Sequence, residues 1–191
     1  MNKTIYIVPG YGGAAKDPEA KKLVTVFKKH GIKPVIVKIA WKGKKPLLFQ
    51  TYVDQFLKQY KKEKGEKTYI LGFSFGAMIA YLTAGQTKPR GLILCSLSPF
   101  FEEDFATIPE KWTKWWTKNY KETFVFKDSS PSVKSKTHIL LGDKEGPEIM
   151  ARGKEAQRQI SGSTLMVIKG GRHNISQKQY LAELEKLIPK L

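Results

Sequence analysis

Residues 68–85 read TYILGFSFGAMIAYLTAG and are the most informative stretch of the chain. Their first four residues are a β-branched and apolar run typical of a buried strand, and 75–84 predict a helix that ends at Gly85. Between them, residues 72–76 form a G-x-S-x-G pattern. The pattern is typical of a nucleophilic serine on a sharp strand-to-helix turn, where side chains two positions away would collide. The stretch therefore predicts strand, turn and helix, with Ser74 as a candidate nucleophile.

Strands and helices are predicted to alternate along the rest of the chain. Apolar and β-branched runs predict six strands, at 4–8, 35–39, 68–71, 92–95, 138–141 and 164–168. The first predicted helix begins at Pro18, with Asp17 as its N-cap, and ends before Gly31. Four further helices are predicted at 47–62, 75–84, 147–160 and 176–188. Apolar strands separated by helices are typical of a parallel sheet covered on both faces. We expect an α/β fold, a three-layer α/β/α sandwich with a mainly parallel six-stranded sheet, as one domain over 1–191.

Composition narrows the class of protein. The chain has 191 residues, 41% of them hydrophobic, and a single cysteine, Cys95, so that it holds no internal disulfide. The N-terminus carries no secretory pattern, and we expect a cytoplasmic protein. Residues 68–87 carry no charge, and the stretch is about as long as a membrane span. Its glycines and serine favour the predicted strand, turn and helix over a membrane-spanning helix.

The formal charge of +17 is concentrated in the first half of the chain. Residues 1–95 carry 18 lysines and arginines against 5 acids, mostly as single or paired lysines. Because this pattern has no basic tail or DNA-binding spacing, we interpret it as surface charge and expect no specific nucleic acid partner. No metal-ligand spacing occurs, and the glycines at 10–13 match a dinucleotide loop only in part, so no cofactor is predicted. The oligomeric state is left open.

An aromatic-rich segment at about 99–131 interrupts the alternation. Trp112, Trp115 and Trp116 have the spacing of one helical face. The segment is either a longer helix packed on the sheet or a lid-like insertion that places these tryptophans over a substrate pocket. Both interpretations remain open.

A nucleophilic serine needs a base and a carboxylate that orients it. Of the three histidines, His173 follows the sixth strand at the carboxyl edge of the sheet, where ligands bind in open α/β sheets. His30 ends a helix, and His138 begins a strand at the opposite edge. The loop after the fifth strand carries two acids, Asp143 and Glu145, and both have the chain order serine, acid, histidine.

The chain resembles a small α/β hydrolase over essentially its whole length. The resemblance rests on the glycine loop after the first strand, the sequence GFSFG, the acid-bearing loop and the glycine-preceded histidine, in the family's order. It favours Glu145 over Asp143, because the family's acid commonly stands three residues after a strand-ending glycine. It also implies Tyr11 and Phe75 as the backbone N–H donors of an oxyanion hole. The family's first two strands have no counterpart, and Pro9-Gly10 replaces the common His-Gly.

The resemblance implies a serine hydrolase that cleaves a carboxylic ester through an acyl-enzyme on Ser74. The apolar and aromatic residues of 99–126 favour a small or medium, largely apolar substrate. Two alternatives stay open: a thioesterase or amidase with the same triad, and a non-catalytic binding protein on a hydrolase fold.

Overall fold

A computed structural model describes residues 2–14, 17–41, 49–60, 67–97 and 133–191. The strands are β1 (Lys3–Val8), β2 (Lys33–Ile36), β3 (Lys67–Phe73), β4 (Gly91–Cys95), β5 (Lys136–Gly142) and β6 (Thr164–Ile168). The helices are α1 (Pro18–Lys29), α2 (Phe49–Gln59), α3 (Phe75–Thr87), α4 (Pro147–Gln159) and α5 (Lys178–Leu187), which is followed by a 3-10 turn at Ile188–Lys190. The predicted insertion at 99–131 lies outside the described residues.

The six strands form one sheet in the order β2-β1-β3-β4-β5-β6, and every neighbouring pair is parallel. The expected parallel six-stranded sheet is thereby confirmed. Because all strands run the same way, the segments that follow β1, β3, β5 and β6 leave from one edge of the sheet. We call this the carboxyl edge; it collects residues that are far apart in the sequence.

Successive side chains of each strand point to opposite faces of the sheet, so the core consists of two clusters, one on each face. In β1, Ile5 and Ile7 pack in one cluster with apolar side chains of α1 and α5, whereas Tyr6 and Val8 pack in the other with those of α2, α3 and α4. Both faces of a parallel sheet are covered in this way, which accounts for the continuous apolar runs in the sequence.

Several predicted boundaries differ from the observed ones, and two of the differences have a specific cause in the structure. The second strand is Lys33–Ile36 rather than 35–39, because the side-chain amide of Gln59 binds the backbone N–H and carbonyl of Lys38 and replaces strand pairing there. Helix α3 runs through Gly85 to Thr87 and ends at Lys88, whose left-handed conformation precedes Pro89. Glycine is tolerated inside a helix, whereas a following proline cannot continue it.

The start of α1 also differs in detail from the prediction. Pro18 is the first helical residue and Asp17 precedes it, but the Asp17 side chain makes no capping bond to the helix. Its Oδ2 accepts instead the backbone N–H of Ala14, at 2.6 Å. The carboxylate therefore stabilises the loop between β1 and α1, which lies at the carboxyl edge.

Candidate active site

Ser74 occupies a strained turn between β3 and α3. Its φ of 53° and ψ of −119° are rarely adopted by a residue with a side chain. A Cβ at Gly72 would overlap the backbone of Gly76 and Ala77, and a Cβ at Gly76 would overlap the carbonyl oxygens of Val8 and Pro9. The two glycines of the G-x-S-x-G pattern are therefore required by backbone contacts on both sides of Ser74.

The loop after β1 lies against the start of α3, because Gly76 packs on the backbone of β1's last residue. The rings of Tyr11 and Phe75 are 5.6 Å apart, centre to centre. The two residues that the resemblance implies as oxyanion donors thus lie side by side next to Ser74. Their roles as donors remain a prediction.

The loops after β5 and β6 are joined through their backbones. The N–H of Asp143 donates to the carbonyl of Ile168 at 3.1 Å, and that of Lys144 donates to the carbonyl of Gly171 at 2.9 Å. A Cβ at Gly142 would overlap the backbone of Gly171. This close approach fixes the acid-bearing loop against the histidine-bearing loop.

Of the two candidate acids, Glu145 contacts the histidine. Its Oε2 lies 2.8 Å from His173 Nδ1, and its side chain is only 1% exposed. Asp143 is exposed, and its Oδ1 accepts the backbone N–H of Gly170 at 2.8 Å. The structure therefore pairs the imidazole with Glu145, while Asp143 contributes to the contact between the two loops.

His173 lies beside the turn that carries Ser74. Its ring stacks at a tilt on the ring of Phe73, the residue before Ser74, with 4.9 Å between the ring centres. Its side chain is 45% exposed. The imidazole thus lies between the buried Glu145 and the strand end that carries the serine.

The environment of Glu145 favours its ionised form. Burial by itself raises the pKa of a carboxyl group, but hydrogen bonds from His173, Tyr180, the Gly142 N–H and Ser96 outweigh burial here. The pKa of Glu145 therefore lies below its usual value, and the carboxylate is available to stabilise a charged imidazole.

The other two histidines lie away from this edge. His138 belongs to the beginning of β5, where its Nδ1 is 2.7 Å from the hydroxyl oxygen of Thr164. Burial and the neighbouring Lys136 and Lys190 lower the pKa of His138. His30 is the residue that ends α1.

The pocket tryptophans expected from the sequence, Trp112, Trp115 and Trp116, lie outside the described residues. In the described part of the chain, an aromatic cluster adjoins Ser74 that the sequence analysis missed: Tyr11, Trp41, Phe49, Tyr52 and Phe75. The available signal was Trp41, which stands two residues after the second apolar run, on the side of the carboxyl edge.

A cavity of about 280 Å³ opens between α1 and the loop after β1. Its lining is mostly apolar and includes Tyr11, Ala20, Leu23, Phe73 and Ile175, with Asp17 and Glu19 also contributing. Its lining includes the residue before Ser74 and the residue two positions after His173, but neither Ser74 nor His173 itself.

No protein-family model and no curated protein matches this chain in sequence. Solved structures are similar in fold. The α/β hydrolase domain-containing protein 10 from mouse is 15% identical with a TM-score of 0.80, covering 98% of this chain and 88% of that one. Est1E from Butyrivibrio proteoclasticus with bound ferulic acid is 14% identical with a TM-score of 0.75, covering 98% and 87%. An α-β serine hydrolase homologue from Coxiella burnetii is 22% identical with a TM-score of 0.66, covering 99% and 84%.

These similarities establish the fold. The chain has the α/β-hydrolase fold in a minimal form with six parallel strands, as the resemblance in sequence implied. Among the described residues, no cluster of three or more histidine, cysteine or acidic side chains could hold a metal ion. Within the same part of the chain, no helix is long and apolar enough to cross a membrane.

Proposed function

We propose that the protein is a serine hydrolase that cleaves carboxylic esters through an acyl-enzyme on Ser74. The observation that carries the proposal is the 2.8 Å contact between His173 Nδ1 and the buried carboxylate of Glu145, beside the strained turn at Ser74. A base that is oriented by an acid, next to a nucleophilic serine, is the arrangement that acyl transfer requires.

Each group has a defined part in this mechanism. Since Nδ1–H of His173 donates to Glu145, the unprotonated Nε2 takes the proton of Ser74 as its Oγ attacks the ester carbonyl. The N–H groups of Tyr11 and Phe75 stabilise the tetrahedral oxyanion, by about 3 kcal/mol per donor in enzymes of this kind. The imidazolium then returns the proton to the leaving alcohol, and water, activated by the same nitrogen, hydrolyses the acyl-enzyme.

The surroundings of Ser74 favour an apolar substrate. The aromatic cluster around Phe75 and the cavity beside Phe73 offer apolar surface, and the insertion at 99–131 is proposed to add Trp112, Trp115 and Trp116 as a lid. A solved structure of the same fold, Est1E, holds ferulic acid, which is an aromatic acid. We infer that small to medium esters with an apolar or aromatic acyl group are the substrates.

The decisive experiment follows p-nitrophenyl ester hydrolysis together with labelling by a fluorophosphonate probe. Wild-type protein is expected to hydrolyse the ester and to be labelled at Ser74, whereas Ser74→Ala loses both activities and His173→Ala loses nearly all hydrolysis. Ser161→Ala, an exposed serine in the turn before β6, is the control and should behave as wild type. An unlabelled wild-type serine would contradict the proposal and favour a binding protein.

A series of ester chain lengths tests the cavity. Ala20→Leu narrows it and should move the preferred p-nitrophenyl ester towards shorter acyl chains. Val24→Leu, one turn further along α1 and not part of the lining, should leave the preference unchanged. Equal chain-length profiles for all three proteins would place the acyl group elsewhere.

A further inference from the structure

The two oxygens of Glu145 face different partners. Oε2 faces His173, whereas Oε1 points into the protein and accepts three hydrogen bonds. The donors are the N–H of Gly142 at 2.6 Å, the hydroxyl of Ser96 at 2.9 Å and the hydroxyl of Tyr180. The carboxylate is therefore held from its buried side by groups that do not take part in the mechanism described above.

The two hydroxyls come from elements that are fixed in the core. Ser96 directly follows β4, is fully buried, and donates its N–H to the carbonyl of Leu140 at 2.7 Å. Its φ of 51° is unusual for a residue with a side chain and turns the chain at this strand end. Tyr180 lies in the first turn of α5 and is also fully buried. The two hydroxyl oxygens are 2.8 Å apart.

The chemistry of the surrounding groups keeps both hydroxyls as donors. Burial and the hydrogen bond to Glu145 raise the pKa of Tyr180, so its phenol stays protonated. Burial likewise raises the pKa of the Cys95 thiol, which adjoins Ser96, and keeps it neutral. With His173 on the other side, Glu145 is the charged member of this buried group, and a carboxylate accepts hydrogen bonds strongly.

We propose that Tyr180 and Ser96 are positioning residues, whose hydroxyls hold Oε1 of Glu145 so that Oε2 stays turned towards His173. The inference rests on the proposed function, in which His173 is the base. Neither hydroxyl reaches the protein surface, so their effect is on the rate of the chemical step and not on substrate binding.

The test compares Tyr180→Phe with Tyr69→Phe. Tyr69 is an equally buried tyrosine in β3, and its hydroxyl has no hydrogen-bond partner in the part of the chain that the structure describes. Tyr180→Phe is expected to lower kcat about tenfold, the effect of one hydrogen bond to a charged group, with KM little changed. Tyr69→Phe should leave both constants unchanged.

The pH profile separates positioning from simple structural support. Tyr180→Phe removes a hydrogen bond that stabilises the Glu145 carboxylate, so the pKa of Glu145 rises. Because Glu145 and His173 share a proton, the pair then keeps that proton to a higher pH. The acidic limb of the kcat/KM profile of Tyr180→Phe should therefore move to higher pH, and Ser96→Ala should move it in the same direction. A loss of thermal stability with an unchanged kcat and an unchanged acidic limb would overturn the proposal.

A second measurement keeps this inference independent of esterase activity. NMR titration follows the ring resonances of His173 in wild type, Tyr180→Phe and Tyr69→Phe. The titration should move to higher pH only in Tyr180→Phe. If no ester is hydrolysed and Ser74 is not labelled, the proposed function fails, while the titration still decides whether Tyr180 acts on the pair. Identical titrations in the three proteins would refute the positioning role.

Discussion

At the scale of single residues, the loop after β5 illustrates how two acids in one loop make different contacts. Asp143 and Glu145 are two positions apart, yet Asp143 holds the backbone of the histidine loop and Glu145 contacts the imidazole. The difference lies in burial: Glu145 points inward to three donors, whereas Asp143 stays exposed. Substitutions at the two positions should therefore have different consequences.

Glu145→Gln should abolish most activity, and Asp143→Asn should not. An amide at position 145 can donate to Nδ1 of His173, which leaves the proton on Nε2 and removes the base; in serine proteases the equivalent change lowers kcat by about 10⁴-fold. An asparagine at position 143 keeps an oxygen that can accept the Gly170 N–H. Steady-state kinetics with one p-nitrophenyl ester measures both, and similar losses in the two variants would contradict this assignment.

Glu145 should also contribute to stability in a pH-dependent way. Because its pKa in the folded protein is lowered from the ordinary 4.5, its contribution is complete above that pH and is lost as the pH falls through the folded value. Wild type should therefore melt at a higher temperature than Glu145→Gln at neutral pH, and the gap should narrow below about pH 4. Thermal unfolding of both proteins across this range is the measurement. A constant gap would show that ionisation contributes nothing.

At the scale of elements, glycines allow the strand ends to approach one another. Gly76 brings the start of α3 against the backbone of β1, and Gly142 meets Gly171 between the loops after β5 and β6. In each of these contacts one backbone touches another. A Cβ added at the glycine would overlap main-chain atoms, which cannot move aside by a change of rotamer. The geometry of the site therefore depends on positions that carry no chemistry.

Gly76→Ala should destabilise the protein by about 3 kcal/mol, the upper range for an overpacked core, since the new Cβ overlaps the carbonyl oxygens of Val8 and Pro9. Gln86→Ala, an exposed position on the same helix, is the control and should change stability by less than about 0.5 kcal/mol. Urea unfolding measures both variants. Equal stabilities would mean that the backbone of β1 can move away at little cost.

At the scale of the whole molecule, basic residues recur at one edge of the described sheet. The site lies at the carboxyl edge of the sheet, whereas basic residues begin or precede five of the six strands at the opposite edge: Lys3, Lys33, Lys67, Arg90 and Lys136. Lysines also lie in the last turns of α1, α2 and α5, where they interact favourably with the helix dipoles. The positive charge at this edge is therefore part of the fold's surface, remote from the chemistry.

This distribution predicts weak, salt-sensitive attraction to polyanions. Wild type should bind heparin at low salt and elute at modest salt, because released counterions drive such binding. The double variant Lys33→Glu and Lys134→Glu changes the opposite edge, and Lys144→Glu with Lys154→Glu is its charge-matched control. The first should elute at lower salt than the second. Coincident elution would mean that the net charge alone governs binding.

The fold and the general position of the site could be predicted because both depend on local patterns. Continuous apolar runs with intervening helices define a parallel sheet, and its carboxyl edge necessarily collects Ser74, His173 and the loop after the fifth strand. The boundary errors arose where a distant group intervened, as when Gln59 replaced strand pairing at Lys38. The tryptophans of the insertion and the catalytic roles of the site residues stay predictions.

The sequence by itself determined the strand-turn-helix at Ser74, the parallel sheet and the order of serine, acid and histidine, since each follows from neighbouring residues. Only the tertiary structure decided that Glu145 rather than Asp143 contacts His173, and that Ser96 and Tyr180 hold the other carboxylate oxygen. In the sequence, Tyr180 is indistinguishable from an ordinary core residue of an amphipathic helix. Its contact with Glu145 spans 35 residues and requires β4, β5 and α5 to be packed together, which no local pattern encodes.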